Sequence, residues 1–281
     1  MKLRLGVRGM MWLTLVIMMW GIISCRTQEE KCLEEVLSLP LANKEELQKV
    51  LDHYKDDSLK YQAVCFLIRN MPFHAGYEGN ALKHYYQYFD IYAQGKLGPH
   101  EVIDSLKENS FSVSQLKRIE DIANIDSSLL VQNVDWAFKV WREQPWGKNV
   151  SFDNFCEFVL PYRLGDEPLG FWREDIYKRY NPILDSIRLL PQAQDPLVAA
   201  KVLMDSLVVE QSHFTGLFPA GPHLGPSVVS WRAGSCREFA DLVVYVMRAL
   251  GIPCGTDYMA MRGDNNVPHF WNFTLDKDGK T

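Results

Sequence analysis

From residue 43 to about 190, apolar side chains recur every three or four positions, the spacing of one helix face. Asn43 is a capping residue followed by Glu45 and Glu46 in a first turn, and Ala63, Val64, Leu67 and Ile68 line a helix over Leu59–Asn70. Further helices are expected over Ala81–Ala93, 99–109, 113–122 and Asp126–Glu143, the last with Leu130, Val134, Ala137, Phe138 and Trp141 on one face. Ser151 caps another, closed by Pro161, and Trp172–Asn181 and Pro182–Leu190 continue the pattern. After Pro196–Val209 comes a Gly/Pro-rich loop to Trp231, and then the strongest signal in the chain. Phe239, Leu242, Val243, Val246, Met247 and Leu250 form one helical face, Gly251 sits where a left-handed cap is wanted, and Pro253 stops the helix. Period-two strands are expected only after Gly255, at Thr256–Arg262 and His269–Leu275, around the turn cluster 263–266. Helices first and antiparallel strands last predict an α+β fold.

Gly234 and Ser235 break the chain just before that helix, which places Cys236 in its first turn. Unpaired backbone N–H groups and the positive end of the dipole favour an anion there, and the thiolate is the nucleophilic form of cysteine. His269, 33 positions on, opens a strand whose alternation puts it on one face with Trp271, Phe273 and Leu275. Laid on the helix, that strand brings an imidazole to the sulfur, the pairing used to activate cysteines.

Gly234-Ser-Cys-Arg-Glu-Phe-Ala, then Arg248-Ala-Leu-Gly-Ile-Pro, then His269-Phe-Trp-Asn resembles the core of the transglutaminase-like superfamily of papain-like thiol enzymes, which includes transglutaminases, bacterial cysteine peptidases and peptide N-glycanases. The likeness is strong over 232–273 and thins to a helix and loop back to about Asp195. It implies a helix bearing the cysteine packed on an antiparallel sheet, Cys236 as nucleophile and His269 as general acid/base. It further implies a third residue, an Asp or Asn one strand further on, beyond Thr281. The core is therefore expected to be incomplete at its C-terminus, and Asp276 and Asp278 belong to the turn Asp-Lys-Asp-Gly. No cofactor or metal is implied, and no pair of the seven histidines has metal-ligand spacing.

Other residues carry two readings each. An oxyanion would take the Cys236 backbone N–H and one side-chain donor, with Trp231 and Ser235 nearest in sequence; Trp231 is equally a cleft wall. By the resemblance, Trp271 shields the Cys–His pair from water. Arg237 and Glu238 are either a solvated helix start or a salt bridge tying the helix to the preceding loop. The aromatics Trp136, Trp141, Trp146, Phe152, Phe155, Phe158, Tyr162, Phe171 and Trp172 are either core or the lining of a sugar-binding groove. His213 and His223 fall in the loop before Cys236.

Charge and export narrow the function classes. The formal charge is −5, which offers nucleic acid no basic footprint. Lys2, Arg4 and Arg8 precede the apolar run Met10–Ile23, too short to span a bilayer comfortably, so residues 1–24 read as a secretory leader. Ile22-Ile-Ser-Cys25 resembles a bacterial lipobox, which makes Cys25 the lipidation site of an outer-membrane lipoprotein of a Gram-negative bacterium, periplasmic or surface-facing. Losing the leader takes 30 basic residues to 27 against 35 acidic, a charge of −8. Five cysteines remain beyond Cys25, an odd number, and the helix between Cys236 and Cys254 holds that pair roughly 20 Å apart. The expected plan is leader 1–24, tether 25–42, helical region 43–194 and transglutaminase-like core 195–281. The expected function is an exported cysteine peptidase or amidase acting on a peptide, protein or glycopeptide. The alternative is a catalytically silent surface lipoprotein whose cleft binds peptide or glycan. Radiolabelled palmitate should enter the protein and fail to enter Cys25→Ala; equal labelling of the two removes the lipid anchor.

Overall fold

The computed structural model describes residues 28–108, 112–209, 213–214, 221–264 and 266–281. Its helices are α1 Gln28–Ser38, α2 Lys44–His53, α3 Ser58–Asn70, α4 Asn80–Ala93, α5 Pro99–Glu108, α6 Asp121–Asn124, α7 Ser127–Glu143, α8 Phe152–Phe158, α9 Arg173–Tyr180, α10 Pro196–Val209, α11 Val228–Trp231 and α12 Cys236–Ala249. Its strands are β1 Ala75–Glu78, β2 Lys117–Glu120, β3 His213–Phe214, β4 Ala233–Gly234, β5 Cys254–Met259 and β6 His269–Thr274. They form three two-stranded sheets among the described residues: β1–β2 and β5–β6 antiparallel, β3–β4 parallel. The architecture is mixed, mostly helix with small sheets, as an α+β chain requires.

Most helix ends follow local chemistry. Asp57 and Asp126 accept backbone N–H bonds at the starts of α3 and α7, and Ser151 does so for α8. At the end of α12, Gly251 has φ +76°, its N–H bonds the Arg248 carbonyl at 3.2 Å, and Ile252 N–H bonds that of Met247 at 2.9 Å. That paired closure is the Schellman motif, which needs the left-handed residue glycine supplies.

One expectation is corrected, and two observations bear on the plan of the chain. Residues 113–122 are not a helix: a 3₁₀ turn at Val113–Gln115 leads into β2, which pairs with β1, so strands also occur inside the helical region. The segment expected as a tether over 25–42 contains α1, which buries Val36, packs Leu33 and Leu37 on the neighbouring core, and reaches Arg69 through Glu29 at 3.2 Å. The division at 194/195 is crossed by one core, which unites Tyr85, Phe89, Trp146, Trp172 and Tyr180 with Leu203, Leu242, Val246 and Leu250. A second core lies among α1, α2, α3, α7 and α8. The leader and Cys25 lie outside the described residues. Among the described residues no helix is long and apolar enough to cross a membrane.

The aromatic belt is mainly core. Trp146, Phe155, Tyr162 and Trp172 are buried, Trp146 donates to the Leu250 carbonyl at 2.8 Å, and Phe171 is the exposed exception.

One buried cation joins the halves. Arg173, only 2% exposed, donates to Asn133 Oδ1 at 2.6 Å and to the carbonyls of Val159, Leu160, Pro161 and Arg248 at 2.7, 3.0, 3.1 and 3.1 Å. Those carbonyls follow the end of α8 or lie in the last turn of α12, where acceptors lack helical partners and a cation suits the dipole. Arg173→Met should lower the free energy of unfolding, read from urea denaturation, by about 1–3 kcal/mol for each buried acceptor it leaves unpaired. A loss under about 1 kcal/mol would show that these acceptors find other partners.

Candidate active site

The turn before Cys236 is built around Gly234. Its φ is +138°, and a Cβ there would lie 2.4 Å from the Cβ of Glu238. A glycine lets Glu238 fold back, so that Ser235 N–H donates to Glu238 Oε2 at 2.8 Å while Ser235 Oγ accepts from Arg237 N–H at 3.3 Å. This is a capping box, and it fixes Cys236 as the first residue of α12. Just upstream, Arg232 is a non-glycine residue in the left-handed region, φ 49° and ψ 47°, held by its N–H to the Val228 carbonyl and by its guanidinium to Tyr180 Oη at 2.6 Å.

Cys236 and His269 line one cavity of about 430 Å³ between α12, α10 and β6. Cys236 is half-buried, a free thiol, and His269 is half-buried as the first residue of β6. No hydrogen bond joins Sγ to the imidazole among the described residues. Trp271 lines the same cavity, is 39% exposed, and has its ring centroid 5.8 Å from that of His269. The strand is tied to the helix by its other parity: Asn272 Nδ2 donates to the Ala240 carbonyl at 3.0 Å. His269, Trp271 and Phe273 share the opposite face of the pleat, which corrects the expectation that this face is the one laid on the helix; His269 reaches the cavity from the strand's end, and Phe273 meets Phe158 edge-on at 5.7 Å.

The remaining site expectations separate. The Ser235 hydroxyl is used up, donating to Glu238 Oε2 at 2.6 Å, so it is a helix cap rather than a free oxyanion donor. Trp231 is not in the cavity wall; it stacks on Phe89 at 5.8 Å and leans on Tyr86 at 5.3 Å. Arg237 and Glu238 are not a solvated helix start. Glu238 is 1% exposed, paired with Arg237 at 2.6 Å, and Arg237 donates to the Gly221 carbonyl at 2.9 Å, tying the helix to the preceding loop. No carboxylate lines the Cys236–His269 cavity among the described residues. Asp276 closes its own turn, accepting from Asp278 N–H at 2.8 Å and Lys280 N–H at 2.9 Å. The same residues hold no group of three or more His, Cys, Asp or Glu side chains placed for a metal ion.

A second polar centre was not expected. Opposite the cavity, α12 carries Glu238, Asp241, Tyr245 and Arg248, all buried. At 100° per residue these four fall roughly half a turn from Cys236, Ala240, Val243 and Met247. Asp241 Oδ2 lies 2.8 Å from His223 Nδ1, and His223 N–H donates to Asp166 Oδ1 at 2.7 Å. Tyr245 donates to the buried Glu167 at 2.7 Å, which also takes the N–H groups of Leu164 and Gly165. The helix body thus separates the His223–Asp241 pair from Cys236 and excludes Asp241 as the group that orients His269. The signal for this centre was a polar stripe at helical spacing, which by default reads as a solvated face.

Searches against protein-family models, curated proteins and solved structures found no match.

Burial disfavours the charged form of His223, but the hydrogen bond and charge of Asp241 overcome it and set the imidazole at about 8, against 6.5 for the free group. Arg237 opposes this and Glu167 assists. Burial likewise raises the Asp241 carboxyl, with His223 pulling it back. A histidine raised on folding contributes stability that is complete below pH 6.5 and is lost as pH rises through about 8. The protein should lose up to about 2 kcal/mol of stability between pH 6.5 and 9, and His223→Gln should be flat over that window in urea melts. Parallel pH profiles for the two would refute the ion pair.

Proposed function

We propose that this protein is an exported, lipid-anchored thiol enzyme of transglutaminase-like type, which cleaves or transfers an amide-linked acyl group through Cys236 and His269. One observation carries the reading: a single cavity is lined by a cysteine at the first turn of a buried helix and by a histidine on the adjacent strand. The first turn of a helix offers backbone N–H groups to developing negative charge, the need of a thiolate and of an oxyanion alike.

The chemistry is ordinary thiol acyl transfer. Cys236 Sγ, its proton passed to His269, attacks the amide carbonyl carbon and forms the C–S bond. The tetrahedral intermediate collapses with loss of the C–N bond, and His269 gives its proton to the leaving amine. Water, deprotonated by His269, then attacks the thioester, the C–S bond breaks, and acid and free thiol are released; an amine in place of water gives transamidation. The open Cys–His geometry suits a site that tightens on its substrate.

The silent-binder reading has one observation in its favour, the lack of a carboxylate in the cavity wall to orient His269. Acetylation by p-nitrophenyl acetate, followed by intact mass and site mapping, separates the two. The enzyme reading expects S-acetyl at Cys236, none at that site in Cys236→Ala, and a rate at least about 100-fold lower in His269→Ala with unchanged melting. If Cys236 reacts no faster than the half-buried Cys32 and Cys65, or if His269→Ala leaves the rate unaltered, the protein is a binder.

A further inference from the structure

The Cys236 cavity has a shape and a chemistry of its own. On α12 its wall is Cys236, Phe239, Ala240, Val243 and Met247, successive turns of one helix face. From the thiol to Met247 is eleven residues, ~16 Å at helical rise. Ala240, Val243 and Met247 are each 1% exposed, whereas Cys236 and Phe239 are half-buried and Trp271 is 39% exposed. The open part of the cavity therefore lies beside the sulfur, and Ala240, Val243 and Met247 form its covered wall.

Its lining is uncharged apart from the two titratable groups at its mouth. Met204 of α10 and Phe270 face the helix residues, and no Asp, Glu, Lys or Arg lines it among the described residues. Of its polar side chains, Asn272 is already engaged, its Nδ2 bonding the Ala240 carbonyl at 3.0 Å, and Thr274 lies across the ladder from Cys254. A charged group entering this slot loses its water and finds no counter-ion, whereas an apolar one is desolvated favourably. Two methionines, one on each side, give walls that adapt to the contour of their guest. The volume of about 430 Å³ corresponds to on the order of a dozen water- or methylene-sized groups.

We propose that this cavity is the acyl subsite of the enzyme, and that the group passed to Cys236 carries an uncharged apolar body packed against the wall that Phe239, Val243 and Met247 of α12 form. The inference rests on the thiol acyl-transfer reading and names its substrate class. Two sources share that chemistry, a straight hydrocarbon acyl chain and an acyl group bearing an apolar amino-acid side chain.

The test compares p-nitrophenyl esters of acetate, octanoate, succinate and N-acetyl-leucine, with S-acylation of Cys236 followed by mass spectrometry. Octanoyl or N-acetyl-leucyl transfer should exceed acetyl transfer by at least about tenfold, and succinyl transfer should fall below it. The faster of the first two identifies the source. Val243→Trp, which fills the slot, should lower the octanoyl-to-acetyl ratio at least about tenfold, judged as a ratio so that a general loss of activity does not count. Separately, the Cys236→Ala protein, which has no nucleophile, should bind a fluorescent twelve-carbon fatty acid saturably, and Val243→Trp should abolish that binding. Acyl transfer with no preference among the four esters overturns the subsite and leaves the enzyme reading standing. Saturable fatty-acid binding without any Cys236 acylation overturns the enzyme reading while the slot remains.

Discussion

A helix buried over most of its surface must satisfy its buried polar side chains inside the protein, and α12 has four of them. Glu238, Asp241, Tyr245 and Arg248 form a stripe away from solvent; Glu238 is met by its own helix start and the other three by groups from elsewhere in the chain. Ser235 and Arg237 take Glu238, His223 takes Asp241, Glu167 takes Tyr245, and the Phe158 and Arg163 carbonyls take Arg248 at 3.1 and 3.0 Å. An unsatisfied polar group at such depth costs about 1–3 kcal/mol, and a charged one more. The segment 158–167 and the loop around His223 are therefore conditions for the position of α12, not independent additions to it.

The consequence reaches the site. Because the polar stripe is locked to the helical half, the opposite stripe of α12 must face α10 and β6, and that stripe begins at Cys236. Arg173 adds a second constraint at the far end, drawing the C-terminal carbonyls of α8 and α12 onto one guanidinium. Direction and depth of the cavity follow from these two clamps. The residues that orient the thiol thus include several that never approach it. Further out, a second buried pair, Arg163 Nε with Asp121 Oδ2 at 2.8 Å, links β1 and α6 to the same network through the Ala75 and Gly165 carbonyls.

Much of this was legible from local pattern. The limits of α12, its stop at Gly251 and the strand bearing His269 all follow from turn chemistry and hydrophobic period, and the structure has them within a residue or two. Local signals failed where the outcome depended on distant chain. Residues 117–120 read as helix, yet β1 supplies a pairing partner about forty residues away, and ladder bonds override weak propensity. Residues 26–40 read as an acidic tether passing into a helix, and what the local pattern leaves open is that Leu33, Val36 and Leu37 dock that helix on a core.

The sequence by itself determined how each candidate residue is presented locally, because turns and helix faces depend on neighbours within four or five positions. It placed Cys236 at a helix mouth and His269 at the head of a strand. Only the tertiary structure decided what surrounds them: that Trp231 and Ser235 serve packing and capping, that Arg237 holds a loop, that His223 and Asp241 form a pair behind the helix, and that no carboxylate or cationic chain lines the cavity beside the thiol among the described residues. Those facts turn on which stripe of α12 meets which partner, and a stripe of charges reads the same in water as in a buried network until the partners are in place.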